Sequence, residues 1–165
     1  MESMNNDINE YTNQLRKGRI QKAYRGIMAF MSGLKQSMEN NYPEHTSSAL
    51  YFGYMDMTYF AFTPPELKNR NLKIAVVYLH EQNAFEAWLG GGNRKIQAAY
   101  IGKMGKLDIG NYKLSQVNPG VDSIIEAQIV EQPDFDRAEE LMRIIEGKTI
   151  EFAKNILSIF ANNGI

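Results

Sequence analysis

The sequence predicts an α+β domain, in which an antiparallel sheet of about four main strands carries N-terminal and C-terminal helices on one face. Two observations lead to this prediction. The first and last parts of the chain repeat apolar residues at spacings of three and four, the period of an amphipathic helix. The middle consists of short aromatic and β-branched runs between turn residues, which is typical of strands. Strands joined by such short connections pair antiparallel, and the helices then collect on a single face.

The helical N-terminal region is predicted for 5–40. A short apolar period indicates a first helix, which Gly18 ends or bends because glycine tolerates the left-handed conformation of a helix end. From Ile20 to Met38 apolar residues recur every three or four positions, and this predicts a long helix lying on the core. Pro43 closes it, since the residue before a proline disfavours the helical conformation.

The sheet is predicted for 49–130, with one inserted helix. The aromatic run "ALYFGYMDMTYFAF" (49–62) indicates a long strand, and "LKIAVVYLH" with "AFEAWLG" indicates a hairpin. After three glycines, "NRKIQAAYIGKM" predicts the inserted helix. The alternating run "VDSIIEAQIV" (121–130) then gives the fourth main strand.

The C-terminal helices are predicted for 134–161. Pro133 and Asp134 are start signals, the apolar residues that follow fall on one side, and Gly147 is expected to divide the segment in two. Because no repeat, linker or low-complexity tract interrupts the pattern, we expect residues 1–165 to form a single domain.

Composition limits the classes of function. With 18 Lys and Arg against 19 Asp and Glu, the formal net charge is -1, so no global field attracts nucleic acid or an anionic membrane. The absence of cysteine excludes disulfides and Cys-ligated zinc. The polar N-terminus does not resemble a secretory leader, and no apolar run approaches the ~20 residues that cross a bilayer. We therefore expect a cytoplasmic protein with no membrane partner.

The hairpin determines which side chains share a face, because successive strand residues point to opposite sides of a sheet. We expect a three-residue loop, with His80 facing Ala84. On that register the odd positions of 72–80 belong to the core, and the even positions share a mixed second face with Glu86 and Trp88. With the other strands aligned likewise, the candidate ligand-binding residues on this aromatic and acidic face are Tyr54, Asp56, Tyr78, His80, Glu86, Trp88 and Glu126.

Several functions fit such a face. In the simplest case this face is exposed to solvent, as one face of an antiparallel sheet commonly is, and its polar residues have no binding function. Aromatic walls with a few convergent polar groups would instead bind a small molecule or a protein partner, and a module of this kind could also work as a homodimer. An acid/base enzyme would use Asp56, His80 and Glu86, because burial separates carboxylate pKa values into acid and base roles. No spacing demands a metal, so we assign no metal ligands, catalytic residues or cofactor. A non-catalytic binding module is the preferred hypothesis.

The glycine junction "EAWLGGGNRK" has the chemistry of an anion site. A helix N-terminus offers unpaired N–H groups, which makes Gly92, Asn93 and Arg94 the candidate anion-binding residues. Asn93 is by itself a good helix cap, however, and glycines before a helix often only turn the chain. The dinucleotide-binding and P-loop spacings are both absent. We therefore favour a structural turn.

The joint between the two N-terminal helices is basic, and phosphates of nucleic acid could contact it. Helix surfaces are often this charged, so a solvated face is the simpler interpretation. The cluster consists of Arg16, Lys17, Arg19, Lys22 and Arg25.

Four blocks of the sequence carry a resemblance to a known family. These are "LRKGRIQKAYRGIMAFM", "YFGYMDMTYFAF", "LKIAVVYLHEQNAFEAWLGGGNR" and "GVDSIIEAQIVEQPDF". They resemble an uncharacterised family of small bacterial proteins, a domain of unknown function, over nearly the whole chain. The resemblance implies a bacterial, cytosolic, single-domain protein and assigns no role to any residue.

Overall fold

Within residues 3–165, which a computed structural model describes, the chain forms one six-stranded antiparallel sheet with helices on one face. This confirms the predicted α+β class, with two short strands added to the expected four. The sheet order is β1-β2-β3-β4-β6-β5. The helices are α1 (Met4–Arg16), α2 (Arg19–Asn41), α3 (Pro65–Lys68), α4 (Arg94–Met104) and α5 (Ala138–Asn162), the last preceded by a 3₁₀ turn, Phe135–Arg137. The strands are β1 (Thr46–Ser47), β2 (Met57–Thr63), β3 (Leu72–Leu79), β4 (Ala84–Gly91), β5 (Lys113–Leu114) and β6 (Ser123–Glu131).

The N-terminal helices form as the sequence predicts. Gly18 joins α1 to α2 with a φ of 75°, in the left-handed region that glycine adopts at no steric cost. Only the second half of α2 reaches the core, where its buried residues lie on the sheet. The part of α2 before Ile27 contributes no residue to the core, and α1 has no buried residue.

The C-terminal helix is continuous, so the expected division at Gly147 is wrong. α5 runs for 25 residues through this glycine. A glycine inside a helix costs about 1 kcal/mol relative to alanine, which is less than the burial of a single large apolar side chain. Buried Ile145 and Ile150 flank Gly147 and hold both halves of the helix on the sheet.

The long strand expected for 49–62 is also corrected, because this segment folds back on itself. Its second half is β2, while Tyr51 pairs with Tyr59 in an isolated antiparallel bridge. The reversal passes through Gly53 and Met55, whose φ values of 76° and 64° are both left-handed. The aromatic composition indicated a strand correctly, but it could not reveal the turn inside the run.

The hairpin between β3 and β4 is displaced by one residue from the expected register. Leu79 pairs with Ala84, so the loop has four residues rather than three and His80 lies outside the ladder. The loop closes on Asn83, which takes a left-handed φ of 49° and accepts a hydrogen bond from the Tyr78 hydroxyl at 2.8 Å. Asparagine tolerates this conformation better than most residues, which explains the longer loop.

The displaced register reverses the assignment of faces in β3. Its even positions, Ile74, Val76 and Tyr78, are buried under the helices, opposite Leu89, Ala87 and Phe85 in turn. The odd positions expected to be core point to the other side. We call that side the open face; it carries Met57, Tyr59, Ala75, Val77, Glu86, Trp88 and Glu126.

Candidate functional site

A cleft of about 310 Å³ lies on the open face, bounded on one side by the β4–α4 junction. Its floor is formed by apolar and aromatic side chains from three adjacent strands. Its walls are polar and come from the junction and from the first residues of β3 and β6. The floor residues are Met57, Tyr59, Ala75, Val77 and Trp88, and the charged residues of the walls are Lys73, Arg94 and Asp122.

The indole of Trp88 is held in place by its neighbours on the sheet. Its Nε1 donates a hydrogen bond to Glu86 Oε1 at 2.8 Å, two residues away on the same face of β4. Ala75 stands directly opposite Trp88 in the ladder. Because alanine projects only a methyl group, it leaves room above the sheet beside the indole. Trp88 therefore presents an aromatic surface whose orientation is fixed.

Tyr59 forms the second aromatic part of the floor. Its ring centroid lies 4.9 Å from that of Tyr51, which the reversed loop brings across the edge of β2. Burial raises the pKa of the Tyr59 hydroxyl, and the nearby Tyr51 and Asp122 raise it further. The hydroxyl is therefore neutral at physiological pH and available as a hydrogen-bond donor.

Arg94 is anchored at the wall by three partners. Its Nη2 lies 3.1 Å from Asp122 Oδ1, and its Nη1 donates to Gln97 Oε1 at 3.2 Å and to the Val121 carbonyl oxygen. Gln97 is buried and fixed in turn, because its Nε2 donates to the carbonyl oxygens of Val121 at 2.7 Å and Ser123 at 3.0 Å. The guanidinium is therefore positioned, and the carboxylate of Asp122 offsets its charge.

Lys73 differs from Arg94 in having no carboxylate partner. It is exposed on β3, opposite Gly90, whose missing side chain leaves space for the Lys73 stem. Across residues 3–165 no carboxylate oxygen lies within 4.0 Å of its ammonium group. Lys73 is thus an uncompensated positive charge beside an aromatic floor.

Close packing around the β4–α4 junction explains why glycine occupies positions 91 and 92. A Cβ on Gly91 would lie 2.8 Å from the Gln97 backbone nitrogen, and one on Gly92 would lie 2.2 Å from Asn71 Oδ1. Asn93 caps α4 by accepting from the Ile96 backbone N–H at 2.9 Å. The three predicted anion-binding residues, Gly92, Asn93 and Arg94, all line the cleft, while their role toward an anion stays a prediction.

The seven predicted ligand-binding residues do not share one surface, because the register differs. Glu86, Trp88 and Glu126 lie on the open face. Tyr78 is 4% exposed in the core beneath the helices, and Tyr54 is 89% exposed in the reversed loop. Asp56 and His80 lie near each other at the end of the β2–β3 ladder, and the ring of His80 lies on the helix side of the sheet.

His80 is part of a structural network. Its Nε2 lies 2.8 Å from Thr58 Oγ1, and Thr58 donates its hydroxyl hydrogen to the Phe52 carbonyl oxygen at 2.7 Å. Nε2 must therefore be the donor toward Thr58. Burial lowers the pKa of His80, and the nearby Asp56 carboxylate opposes this only in part. A neutral His80 thus ties the reversed loop to the sheet.

The three residues of the alternative acid/base hypothesis, Asp56, His80 and Glu86, are not brought together. Glu86 projects from the open face, whereas the ring of His80 stacks on Tyr24 of α2, which packs on the opposite side. Groups separated by a sheet cannot exchange a proton with one substrate. In residues 3–165 no three His, Asp or Glu side chains are grouped closely enough to hold a metal ion.

The cleft also contains polar residues that were not candidates from the sequence, among them Tyr59, Lys73, Gln97 and Asp122. The one available signal was Asn83, since an asparagine before a strand can close a four-residue turn in the left-handed conformation. That loop length would have placed Ala75 opposite Trp88 and the odd positions of β3 on the open face.

None of the helices formed by residues 3–165 combines the length and apolar character needed to cross a membrane.

The fold and the cleft define a class of protein: an α+β domain whose antiparallel sheet is covered by helices on one face and carries an aromatic cleft on the other. The chain belongs to the family described as Domain of unknown function (DUF7000), whose model matches residues 4–160. Comparison with curated proteins found no match. Comparison with solved structures likewise found none.

Proposed function

We propose that this protein is a non-catalytic binding module that takes a small planar molecule with an anionic substituent into the cleft of the open face. The observation that carries the proposal is the uncompensated ammonium group of Lys73 beside the fixed indole of Trp88. The bacterial and cytoplasmic setting implied by the sequence resemblance belongs to the same proposal.

The floor of the cleft supports a planar ligand. Trp88 and Tyr59 are aromatic, and the small side chain of Ala75 keeps the surface beside the indole low. Aromatic rings stack in offset or edge-to-face arrangements that contribute about 0.5–1.5 kcal/mol beyond area burial. A volume of about 310 Å³ lies at the lower end of the range for small-molecule pockets, so the ligand is about the size of one or two rings.

The walls support a negative substituent. Asp122 already compensates Arg94, so Lys73 supplies the net positive charge of the cleft. A hydrogen bond to a charged group contributes about 1.5–3 kcal/mol, which corresponds to roughly ten- to hundredfold in affinity. Carboxylates and phosphates share this chemistry, and the test below separates them.

Fluorescence offers a direct test, because Trp88 is the only tryptophan of the sequence. We would titrate the protein with two matched pairs of probes, nicotinate with nicotinamide and AMP with adenosine. Each pair keeps the ring and removes the charge. We expect saturable quenching of Trp88 by at least one anion and weaker quenching by its neutral counterpart. At about 100 times its Kd, that anion should also raise the free energy of unfolding by roughly 2.7 kcal/mol.

Lys73→Met should remove the preference for the anion while leaving the neutral probe unaffected, because the stem is kept and the charge is lost. Lys154→Met is the matched control, since Lys154 is exposed on α5, on the helix side of the sheet. If no probe quenches Trp88, the small-molecule form of the proposal is wrong. If binding is unchanged in Lys73→Met, the assigned source of charge is wrong.

A further inference from the structure

Glu86 is a carboxylate of the open face that has no positively charged partner. Its Oε1 accepts the hydrogen bond from the indole of Trp88 at 2.8 Å, which leaves Oε2 for another donor. Across residues 3–165 no ammonium or guanidinium nitrogen lies within 4.0 Å of this carboxylate. Glu86 thus fixes the indole and still carries an uncompensated negative charge beside it.

Two other acidic residues near the cleft already have partners. Asp122 Oδ1 lies 3.1 Å from Arg94 Nη2. Glu126 stands directly opposite Trp88 in the ladder, and its Oε1 lies 3.9 Å from Lys113 Nζ. These carboxylates are each compensated by a cation of the same chain, so they differ from Glu86 as Arg94 differs from Lys73.

The two uncompensated charges, Lys73 and Glu86, lie on either side of Trp88 along β4. The Lys73 stem crosses from β3 onto β4, since its Cγ and Cε lie 3.7 and 3.8 Å from the position that a Cβ on Gly90 would occupy. Positions 86, 88 and 90 alternate along the strand, so all three face the open side of the sheet. At about 3.3 Å per residue, positions 86 and 90 are roughly 13 Å apart, with the indole between them.

We propose that the ligand of the cleft is bipolar: its anionic group binds Lys73, its ring lies on Trp88, and an amine at the opposite end binds Glu86. This inference rests on the proposed function and names the class of ligand more closely. Such a ligand supplies a partner to each of the two charges that the folded chain leaves unpaired. A planar anion without the amine would lie beside the Glu86 carboxylate and be repelled by it. The indole favours the amine further, because an aromatic face attracts positive charge.

Three probes that share one ring test the proposal. 4-(Aminomethyl)benzoate carries both charges, 4-methylbenzoate keeps only the anion, and benzylamine keeps only the cation. We would measure the Kd of each probe for the full chain by titration calorimetry and by the fluorescence of Trp88. We expect the bipolar probe to bind at least about tenfold more tightly than either of the other two, because each of these leaves one charge-assisted hydrogen bond unmade.

Glu86→Gln removes the charge and keeps an amide oxygen that can accept the hydrogen bond from the indole. This variant should bind the bipolar probe and 4-methylbenzoate with equal affinity, and it should bind 4-methylbenzoate no more weakly than wild type does. Glu151→Gln is the matched control, since Glu151 is exposed on α5, on the helix side of the sheet, and it should keep the wild-type ratio of affinities. The Tm and the emission maximum of Trp88 show whether each variant is folded with its indole in place.

The comparison of probes on wild-type protein separates this inference from the proposed function. Equal affinities for the bipolar probe and 4-methylbenzoate would overturn the bipolar ligand and leave the proposed function intact. Benzylamine binding as tightly as the bipolar probe would overturn it too, because the cation alone would then be recognised. A ratio of affinities that Glu86→Gln leaves unchanged would refute the assignment of the second charge. If none of the three probes binds although nicotinate or AMP does, the inference is wrong; if those anions also fail, the proposed function fails with it.

Discussion

Replacing Tyr78 with alanine tests which face of β3 is the core. The ring lies between His80, Phe85 and Phe135, with centroid distances of 4.9, 5.0 and 5.7 Å. Truncating a buried aromatic residue costs about 3–5 kcal/mol through lost burial and the remaining cavity. Loss of the hydroxyl bond to Asn83 adds roughly 1 kcal/mol. Because whole domains are stable by only about 5–15 kcal/mol, this variant should be strongly destabilised.

The measurement is urea unfolding followed through Trp88. Tyr54→Ala is the matched control, since Tyr54 is 89% exposed and should change the free energy of unfolding by no more than about 0.5 kcal/mol. Tyr78→Phe isolates the hydrogen bond and should cost roughly 1 kcal/mol. Equal effects of the two alanine substitutions would refute the register, because Tyr78 would then have to lie on the open face.

Two further predictions concern pH and the glycine junction. Burial lowers the pKa of His80 in the folded state, so the unfolded state binds a proton more tightly than the folded state does. The free energy of unfolding should therefore be highest above about pH 6.5, the ordinary pKa of histidine, and should decrease as the pH falls below that value. Urea unfolding at a series of pH values should show this, and His80→Gln should reduce the slope without abolishing it, because burial also lowers the pKa of His45. Gly91→Ala should destabilise by about 1–3 kcal/mol, since its Cβ would lie 2.8 Å from the Gln97 backbone nitrogen, which cannot rotate away. In thermal unfolding Gly102→Ala should instead be neutral or stabilising, and equal Tm values for the two variants would contradict the close approach.

The sequence was a good guide wherever periodicity had one interpretation. The two N-terminal helices, the joint at Gly18 and the helix from Arg94 follow from apolar spacing and capping residues. In β6 the alternation also held, since Ile125 and Ala127 are buried while Gln128 is exposed. In each case one set of positions was clearly more apolar than the other, so the pattern determined the face.

Periodicity failed in β3 for a physical reason. The odd residues, Ala75, Val77 and Leu79, are as apolar as the even set, so hydrophobicity alone could not decide which set is core. The turn determines the register instead. With Asn83 in the left-handed region the loop has four residues, one more than predicted, so every side chain of β3 lies on the face opposite to the predicted one. The residues of the predicted site consequently lie on both sides of the sheet: Trp88 lines the cleft, whereas Tyr78 is buried in the core.

The reversed loop has a consequence for aggregation. An outer strand with free N–H and C=O groups is a template for pairing with other chains. Here the segment before β2 occupies that outer edge: β1 pairs with its last residues, the Ser48 N–H donates to the Ala61 carbonyl oxygen at 3.0 Å, and Tyr51 pairs with Tyr59. The backbone then turns away at Gly53, so no long regular strand is left at this margin. This margin is therefore a poor template for fibre-like growth.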